Sequence, residues 1–299
     1  MLGKLTKNSF KANASSVYNI YIAMGIIGVI MLVLLLVDWT KWGDTGIGVG
    51  LLIKILASGA LCITAAIGVI MTFVSVFSDF SRSMYGAEGH LTLTLPVRSS
   101  TLLLSKWLAG SFWVVLAYVV LCLCGFGSFI YCIKHSISIV EGNEAYYSVY
   151  ELVTQMANQI FASSGISTPS MGVILNLAGI YAFSGGVRAC VFVLLVYFAI
   201  TISHCRTFNK AGKLGRVLYF FGIFFIVNTF SAIVTKLVKI YVVISDAAFT
   251  FTLSESEVAA AWKSGFGAYS ITNLYCTAIA AVFIFLVTCV LIDSRVNAD

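Results

Sequence analysis

Long apolar runs separated by short polar segments dominate this chain. A hydrocarbon layer of about 30 Å needs a helix of about 20 apolar residues to cross it. Windows of that length predict five clear membrane-spanning helices: Ile20–Val37, Leu51–Phe77, Leu108–Cys132, Val217–Thr235 and Tyr269–Ile292. A sixth, shorter span is predicted at Val187–His204. We therefore expect an all-α integral membrane protein with six transmembrane helices.

One further apolar stretch, from Met171 to Phe183, is too short to span the membrane alone. Ser184, Gly185 and Gly186 separate it from the next predicted span, and two adjacent glycines favour a break in a helix. The pattern predicts an interfacial or re-entrant piece that stays on one side of the membrane.

The N-terminal segment carries Lys4, Lys7 and Lys11 ahead of the first span, like the basic start of a secretory signal peptide. No small-residue cleavage site follows. The segment 38–42, which reads Asp-Trp-Thr-Lys-Trp, is typical of an aromatic anchor at the membrane interface. We expect the first span to be retained, and residues 1–19 to form an interfacial helix whose lysines face anionic headgroups.

Composition supports the membrane assignment. The chain is 60% hydrophobic and 10% charged, with a mean hydropathy of +1.00, whereas about a quarter of the residues in soluble domains are charged. Its charge is too sparse to cover the surface of a soluble protein of this length. The net charge of +6 is distributed as expected for contact with the lipid bilayer, so no nucleic-acid partner is predicted.

Orientation follows from the basic residues in the short loops, since the side richer in Lys and Arg stays in the cytoplasm. With both termini inside, about 11 of the 18 basic residues lie on the inner side and eight of the 12 acidic residues lie outside. This N-in, C-in topology predicts one membrane domain, 1–299, with a cytoplasmic loop at 78–106. The extracellular segments are then 133–170 and 236–268.

The predicted cytoplasmic loop mixes aromatic, aliphatic and charged residues, then breaks at Pro96 before the third span. Water does not favour such exposed apolar side chains, whereas a groove on a partner protein would cover them. We expect three apolar anchors, which are Phe80, Tyr85 and Leu91. A polar rim would consist of Asp79, Arg82 and Glu88. The alternative is an ordinary loop that rests on the bilayer with these side chains among the headgroups.

The order of residues in this loop matches a known pattern: Tyr85-Gly-x-Glu88-Gly89-His90-Leu-Thr-Leu-Thr-Leu95-Pro96-Val97, followed by Leu-Leu-Ser105-Lys106. It resembles the loop after the second span of bacterial ABC exporter permeases of the type-2 superfamily, where "YGDEGYLTLTLP" is usual. Ala87 and His90 depart from it, since an acidic and an aromatic residue are common at those positions.

In that family the region includes the coupling helix, which docks into a cleft on an ABC ATPase subunit. The resemblance implies that coupling involves the following residues: Asp79, Phe80, Arg82, Tyr85, Gly86, Glu88, Gly89, His90, Leu91, Leu95, Pro96 and Lys106.

The chain has no G-x-x-x-x-G-K-[ST] motif for cradling nucleotide phosphates. If ATP drives this protein, ATP and Mg²⁺ are bound by a partner subunit, and this chain itself is neither an enzyme nor a cofactor-binding protein. The resemblance implies a second permease copy, identical or sister, above two ATPase subunits in a bacterial plasma membrane. The exported substrate would be a peptide, a drug or a lipid-like molecule.

Ionisable groups are sparse in the predicted spans, which argues against a proton or ion relay. Lys54, Arg188, Lys236 and Lys239 fall near span ends, where snorkelling explains them. Asn228 is the strongly polar residue deep in a span, and a hydrogen bond between helices is favoured over a contact with substrate.

Metal binding is not predicted, because His90, His135 and His204 are far apart and the eight cysteines lie within or at the ends of apolar runs. Two rival classes of function stay open. One is a self-sufficient channel or secondary transporter, and the other is a non-transporting membrane sensor or immunity protein.

Overall fold

A computed structural model describes residues 2–36, 44–86, 98–135, 159, 171–205, 212–245 and 248–296. Within these ranges the chain is mostly helical, with a small sheet near the C-terminal end. In chain order the elements are α1 Leu2–Leu36, α2 Asp44–Tyr85, α3 Ser99–His135, α4 Met171–Ser203, α5 Gly212–Leu237, β1 Tyr241–Ile244, β2 Phe249–Thr252, α6 Glu255–Lys263, β3 Gly267–Ser270 and α7 Thr272–Val296.

Five helices contain a stretch long and apolar enough to cross a membrane: Leu56–Tyr85, Ser99–Gly125, Gly172–Ser203, Val217–Leu237 and Thr272–Asp293. Helix α1 supplies a sixth if its two parts, Gly3–Ser15 and Val17–Ile30, form one span, and these parts meet at 48°. The described residues therefore confirm the prediction of a mostly helical chain, and they contain five or six helices long and apolar enough for a multi-pass membrane protein.

The long helices form two groups that meet along α3 and α4. Helices α1, α2 and α3 pack against one another, and α4 packs against both α5 and α7. Among the five candidate spans, α4 is the most buried. In its most apolar window 44% is buried, whereas only 6% of the corresponding window of α5 is buried. Helix α5 therefore offers most of its surface to whatever surrounds the subunit.

Helix α4 corrects one expectation. The stretch from Met171 to Phe183 is neither re-entrant nor separate, because α4 runs without interruption from Met171 to Ser203. Gly185 serves close packing instead: a Cβ atom there would lie 2.0 Å from the hydroxyl oxygen of Tyr118 on α3. An unbroken helix also keeps its backbone hydrogen bonds satisfied where no water is present.

The segment 236–268, predicted only as an extracellular segment, contributes to a three-stranded antiparallel sheet of order β2-β1-β3. Branched and aromatic residues favour strands, and both Tyr241–Ile244 and Phe249–Thr252 are rich in them. One face of the sheet packs on α4, where Val242, Ile244 and Tyr269 form a cluster with Leu177 and Ile180.

Helix α6 lies against the sheet on the side of β1 and β3, and polar contacts join it to the strands. The Thr252 hydroxyl donates to Glu257 Oε2 and accepts from the backbone N–H of Ser254 at 3.1 Å. Lys239 Nζ lies 2.6 Å from Glu255 Oε1. The sheet and α6 together are called the αβ unit below, comprising residues 238–271.

Candidate functional site at the ends of α2 and α4

The loop predicted at 78–106 is shorter than expected, because helices extend into it from both sides. Helix α2 continues to Tyr85 and α3 begins at Ser99. Gly86 ends α2 with its N–H bonded to the Arg82 carbonyl at 3.0 Å, and a Cβ atom at Gly86 would lie 2.5 Å from that oxygen. A glycine therefore suits the point where the chain leaves the helix.

Phe80 lies inside the bundle. Its side chain is 1% exposed and stacks on Tyr197 of α4 with 3.8 Å between ring centroids and 7° between planes. The expectation that Phe80 anchors the loop in a partner's groove needs correction, because no surface of the ring is left to offer. A helical position facing α4 buries the ring at the subunit's own core instead.

Tyr85 links α2 to the end of α4. Its ring stacks on His204 at 4.3 Å and 11°, and its hydroxyl donates to Thr201 Oγ1 at 2.9 Å. The Thr201 hydroxyl donates to the Tyr197 carbonyl at 2.8 Å. His204 Nδ1 lies 2.8 Å from the Ile200 carbonyl, a contact that requires the proton on Nδ1.

The partners of Phe80 and Tyr85 were missed from the sequence, although a signal exists. Tyr197, Thr201 and His204 are spaced by four and three residues, which places them on one face of a helix. All three carry a polar group within a mostly apolar run. That face is the one that α4 turns toward the end of α2.

The polar candidates of α2 and α3 differ in exposure. Arg82 is exposed, whereas Asp79 and Lys106 are half-buried. Asp79 interacts electrostatically with the hydroxyl of Tyr197. At the start of α3, the Ser99 hydroxyl donates to Asp293 Oδ1 near the end of α7. The segment between α2 and α3 is thus flanked by helices that are bonded to α4 and α7.

A hollow of about 450 Å³ opens beside the end of α2. Hydroxyl, imidazole and guanidinium groups contribute to its wall, so it can accept carboxylates or hydrogen-bonding groups from another molecule. The lining residues are Phe77, Ser78, Ser81, Arg82, Tyr85, Gly86, Ile200 and His204. It joins three of the predicted coupling residues, Arg82, Tyr85 and Gly86, in one accessible surface.

The rest of the predicted coupling segment is not part of the described structure. These residues are Glu88, Gly89, His90, Leu91, Leu95 and Pro96, which lie in the range 87–97 outside the described residues. The described part of the site comprises the two helix ends that hold this segment.

Asn228 lies on the exposed side of α5 and donates from Nδ2 to the Phe224 carbonyl of its own helix at 2.8 Å. The described subunit therefore provides no partner helix for the predicted hydrogen bond. A neighbouring pair links α5 to α7 instead, since the Ser231 hydroxyl donates to Asn273 Oδ1 at 3.1 Å. Asn228 does not line the hollow beside the end of α2.

An apolar cleft of about 640 Å³ lies between α3 and α4, away from the hollow beside the end of α2. Small residues of α4, including Ala178, Ala182 and Gly186, form part of its wall opposite Tyr118 and Cys122 of α3. Within the described residues, no three His, Cys, Asp or Glu side chains lie together in a way that could hold a metal ion.

Comparisons with known proteins provide no relative for this chain. No family model, no curated protein and no solved structure matches it. Its function must therefore be inferred from its own residues and their arrangement.

Proposed function

We propose that this chain is the membrane-spanning permease subunit of an ATP-driven ABC exporter. The observation that carries the proposal is the pattern Tyr85-Gly-x-Glu88-Gly89-His90-Leu-Thr-Leu-Thr-Leu95-Pro96, which resembles the coupling loop of type-2 exporter permeases. The pattern starts where α2 ends, at Tyr85, and stops just before α3 begins, at Ser99. Its position between two long apolar helices supports the same function.

The contacts around the segment support a mechanical role. On one side, Tyr85 is held by His204 and Thr201 of α4. On the other, Ser99 is bonded to Asp293 of α7. One end of the segment is joined to α4 and the other to α7. A push on the segment would therefore move these two helices together. Closure of a pair of ATPase subunits would supply that push.

The proposed assembly contains two copies of this chain, or this chain and a sister, with two ATPase subunits that bind ATP and Mg²⁺. The exported molecule would pass, or be taken from lipid, at the subunit interface.

A secondary transporter is the second candidate, and Arg188 favours it. Because α4 is continuous, Arg188 lies near the middle of that helix and is exposed, instead of at the start of a span. Ionisable residues within spans mark ion or substrate pathways in many transporters. This class predicts transport without an ATP-hydrolysing partner.

Isolation of the full-length chain from its native membranes in mild detergent distinguishes these functions. We expect an ATP-hydrolysing subunit to be recovered with it, and ATPase activity to depend on this chain. Recovery of the folded chain with no such subunit, together with transport that does not depend on ATP, would contradict the proposal. It would favour a secondary transporter.

Replacement of Glu88 by Ala tests the coupling segment itself. We expect weaker recovery of the ATPase subunit or ATP hydrolysis without transport, since Glu88 is predicted to contact the partner. Ser100→Ala is the matched control, because Ser100 is exposed at the start of α3 beside the same segment. Unchanged coupling in Glu88→Ala would rule out a role for this side chain.

A further inference from the structure

The αβ unit is attached close to the ends of two spans. Three residues separate Leu237 at the end of α5 from β1, and one separates β3 from Thr272 at the start of α7. An extended residue covers at most about 3.5 Å, so the near ends of both strands lie within about 14 Å of the helix ends. The unit and the end of α2 lie at opposite ends of α4, since Leu177 contacts the unit and His204, just after α4, contacts Tyr85.

The near end of the sheet can be identified from the register. Tyr241 pairs with Ser270 of β3 and with Thr252 of β2. Thr252 is therefore level with the two strand ends that join the spans. Leu253 follows directly, so the end of β2 and the residue after it lie nearest the membrane.

Strand β2 and the residue after it leave an apolar surface uncovered, called the ledge here, which is formed by Phe249, Phe251 and Leu253. Val242 pairs with Phe251 and Ile244 with Phe249, so both phenylalanines lie on the face of the sheet that packs on α4. Helix α4 covers β1 and β3 on that face but not β2. Phe249, Phe251 and Leu253 remain 56%, 73% and 74% exposed.

Exposed apolar side chains also lie at the end of α5, close to the near end of the sheet. The last residues of α5 and the first residue after it, Ile233, Leu237 and Val238, are exposed apolar side chains. Exposed Lys236 lies in the last turn of α5, where a cation complements lipid phosphate. Aromatic and cationic residues at this level are typical of the membrane–water interface.

We propose that the ledge formed by Phe249, Phe251 and Leu253 inserts among the phospholipid headgroups of the leaflet on the side of the αβ unit. The occupant of this surface is lipid, because the end of the ledge at Phe251 and Leu253 lies close to the helix ends, where the apolar side chains of α5 are also exposed. The unit thereby acts as an interfacial anchor that sets the depth of α5 and α7 in the bilayer. This inference depends on the membrane spans and not on the proposed exporter function.

Photo-crosslinking tests the anchor in the full-length chain. Phe251 is replaced by benzoylphenylalanine, and the chain is reconstituted in liposomes of phosphatidylethanolamine and phosphatidylglycerol, irradiated and analysed by mass spectrometry. Because the ring is exposed, the replacement leaves the packing intact. Thr250 is the matched control, since it is exposed on the opposite face of the same strand. Phe225, exposed on α5, is the lipid-facing reference.

We expect phospholipid adducts at position 251 at a level close to that at position 225 and several-fold above that at position 250. Equal labelling at positions 250 and 251 would overturn the proposal, as would an absence of lipid adducts at 251. A crosslink from 251 to a second copy of the chain would also overturn it, since the ledge would then be a protein interface. Absence of lipid adducts at 225 as well would contradict the membrane placement on which the anchor depends.

Discussion

At the scale of single residues, glycines mark where helices of this bundle touch. At Gly110 of α3, a Cβ atom would lie 2.4 Å from the hydroxyl oxygen of Tyr197 and 2.8 Å from Cγ1 of Val76. Neither neighbour can easily move, because both are buried and Tyr197 is also stacked on Phe80. The absence of a side chain at Gly110 therefore determines how closely α2, α3 and α4 approach one another.

Gly110→Ala should destabilise the bundle. Gly125 is the matched control on the same helix, because nothing lies within 4 Å of a Cβ atom there, and both changes gain the same helix propensity. Relative to Gly125→Ala, we expect Gly110→Ala to lower the free energy of unfolding by about 1–3 kcal/mol through overpacking. Thermal unfolding in detergent measures the difference. Equal melting temperatures would show that the helices do not pack this closely.

At the scale of elements, one hydroxyl group connects β2 to α6. Thr252 donates to the Glu257 carboxylate and accepts from the Ser254 N–H, which satisfies a free donor ahead of the first turn of α6. The N-cap residue Ser254 makes no side-chain bond of this kind. The start of α6 therefore depends on a residue of the preceding strand.

Thr252→Val should loosen α6 while leaving the spans intact. The substitution keeps the shape but removes both bonds, so we expect the opening free energy of the α6 amides to fall by about 1–3 kcal/mol. Thr250→Val is the control, since Thr250 is exposed on the same face of β2. Hydrogen exchange followed by mass spectrometry resolves α6 from the rest. Unchanged exchange in α6 would contradict the capping role.

The ion pair between Lys239 and Glu255 predicts a pH dependence for the same unit. Hydrogen bonding and the charge of Glu255 raise the pKa of Lys239 above its usual value. A raised pKa means that the stabilisation is complete below the ordinary lysine value of about 10.4 and is lost as the pH rises through the higher folded value. The contribution is therefore constant near neutral pH and disappears in strong alkali.

Lys239→Gln measures this dependence against the wild type. We expect a small difference in the hydrogen exchange of α6 at neutral pH, because the pair is exposed and solvent screens it. The difference should shrink as the pH rises through the raised pKa of Lys239, where the ion pair loses its positive charge. A difference that is the same at all pH values would indicate that packing of the Lys239 stem, and not its charge, supports α6.

At the scale of the whole molecule, the bend in α1 determines the topology. If Gly3–Ser15 and Val17–Ile30 together make one crossing, the six spans place both termini on the same side. If α1 does not cross, five spans place them on opposite sides. The distribution of Lys and Arg predicts that both lie inside.

Reporter fusions distinguish the two topologies. We expect green fluorescent protein to fluoresce at either terminus, because it folds in the cytoplasm, and alkaline phosphatase to be active when inserted between β1 and β2. A fluorescent C-terminal fusion combined with an N-terminus exposed to the outside would show that α1 does not cross. Fluorescence at neither terminus would reverse the orientation.

Much of the helical framework could be predicted from the sequence. Apolar runs of span length, such as those now found in α2 and α5, have few stable structures open to them in lipid other than a helix. The coupling candidates were less predictable. Arg82 lies at an accessible hollow as a rim residue would, whereas Phe80 is buried against Tyr197. Composition cannot tell which face of a helix turns toward a neighbour.

The sequence by itself determined that most of the chain forms apolar helices long enough to cross a membrane, because this property depends on the length and polarity of local segments. Only the tertiary structure decided the rest. Gly185 lies inside the continuous helix α4, where its missing side chain leaves room for Tyr118 of α3, and Phe251 stays exposed because α4 covers just part of the sheet. Both outcomes arise from contacts between residues far apart in the chain, which no local pattern specifies.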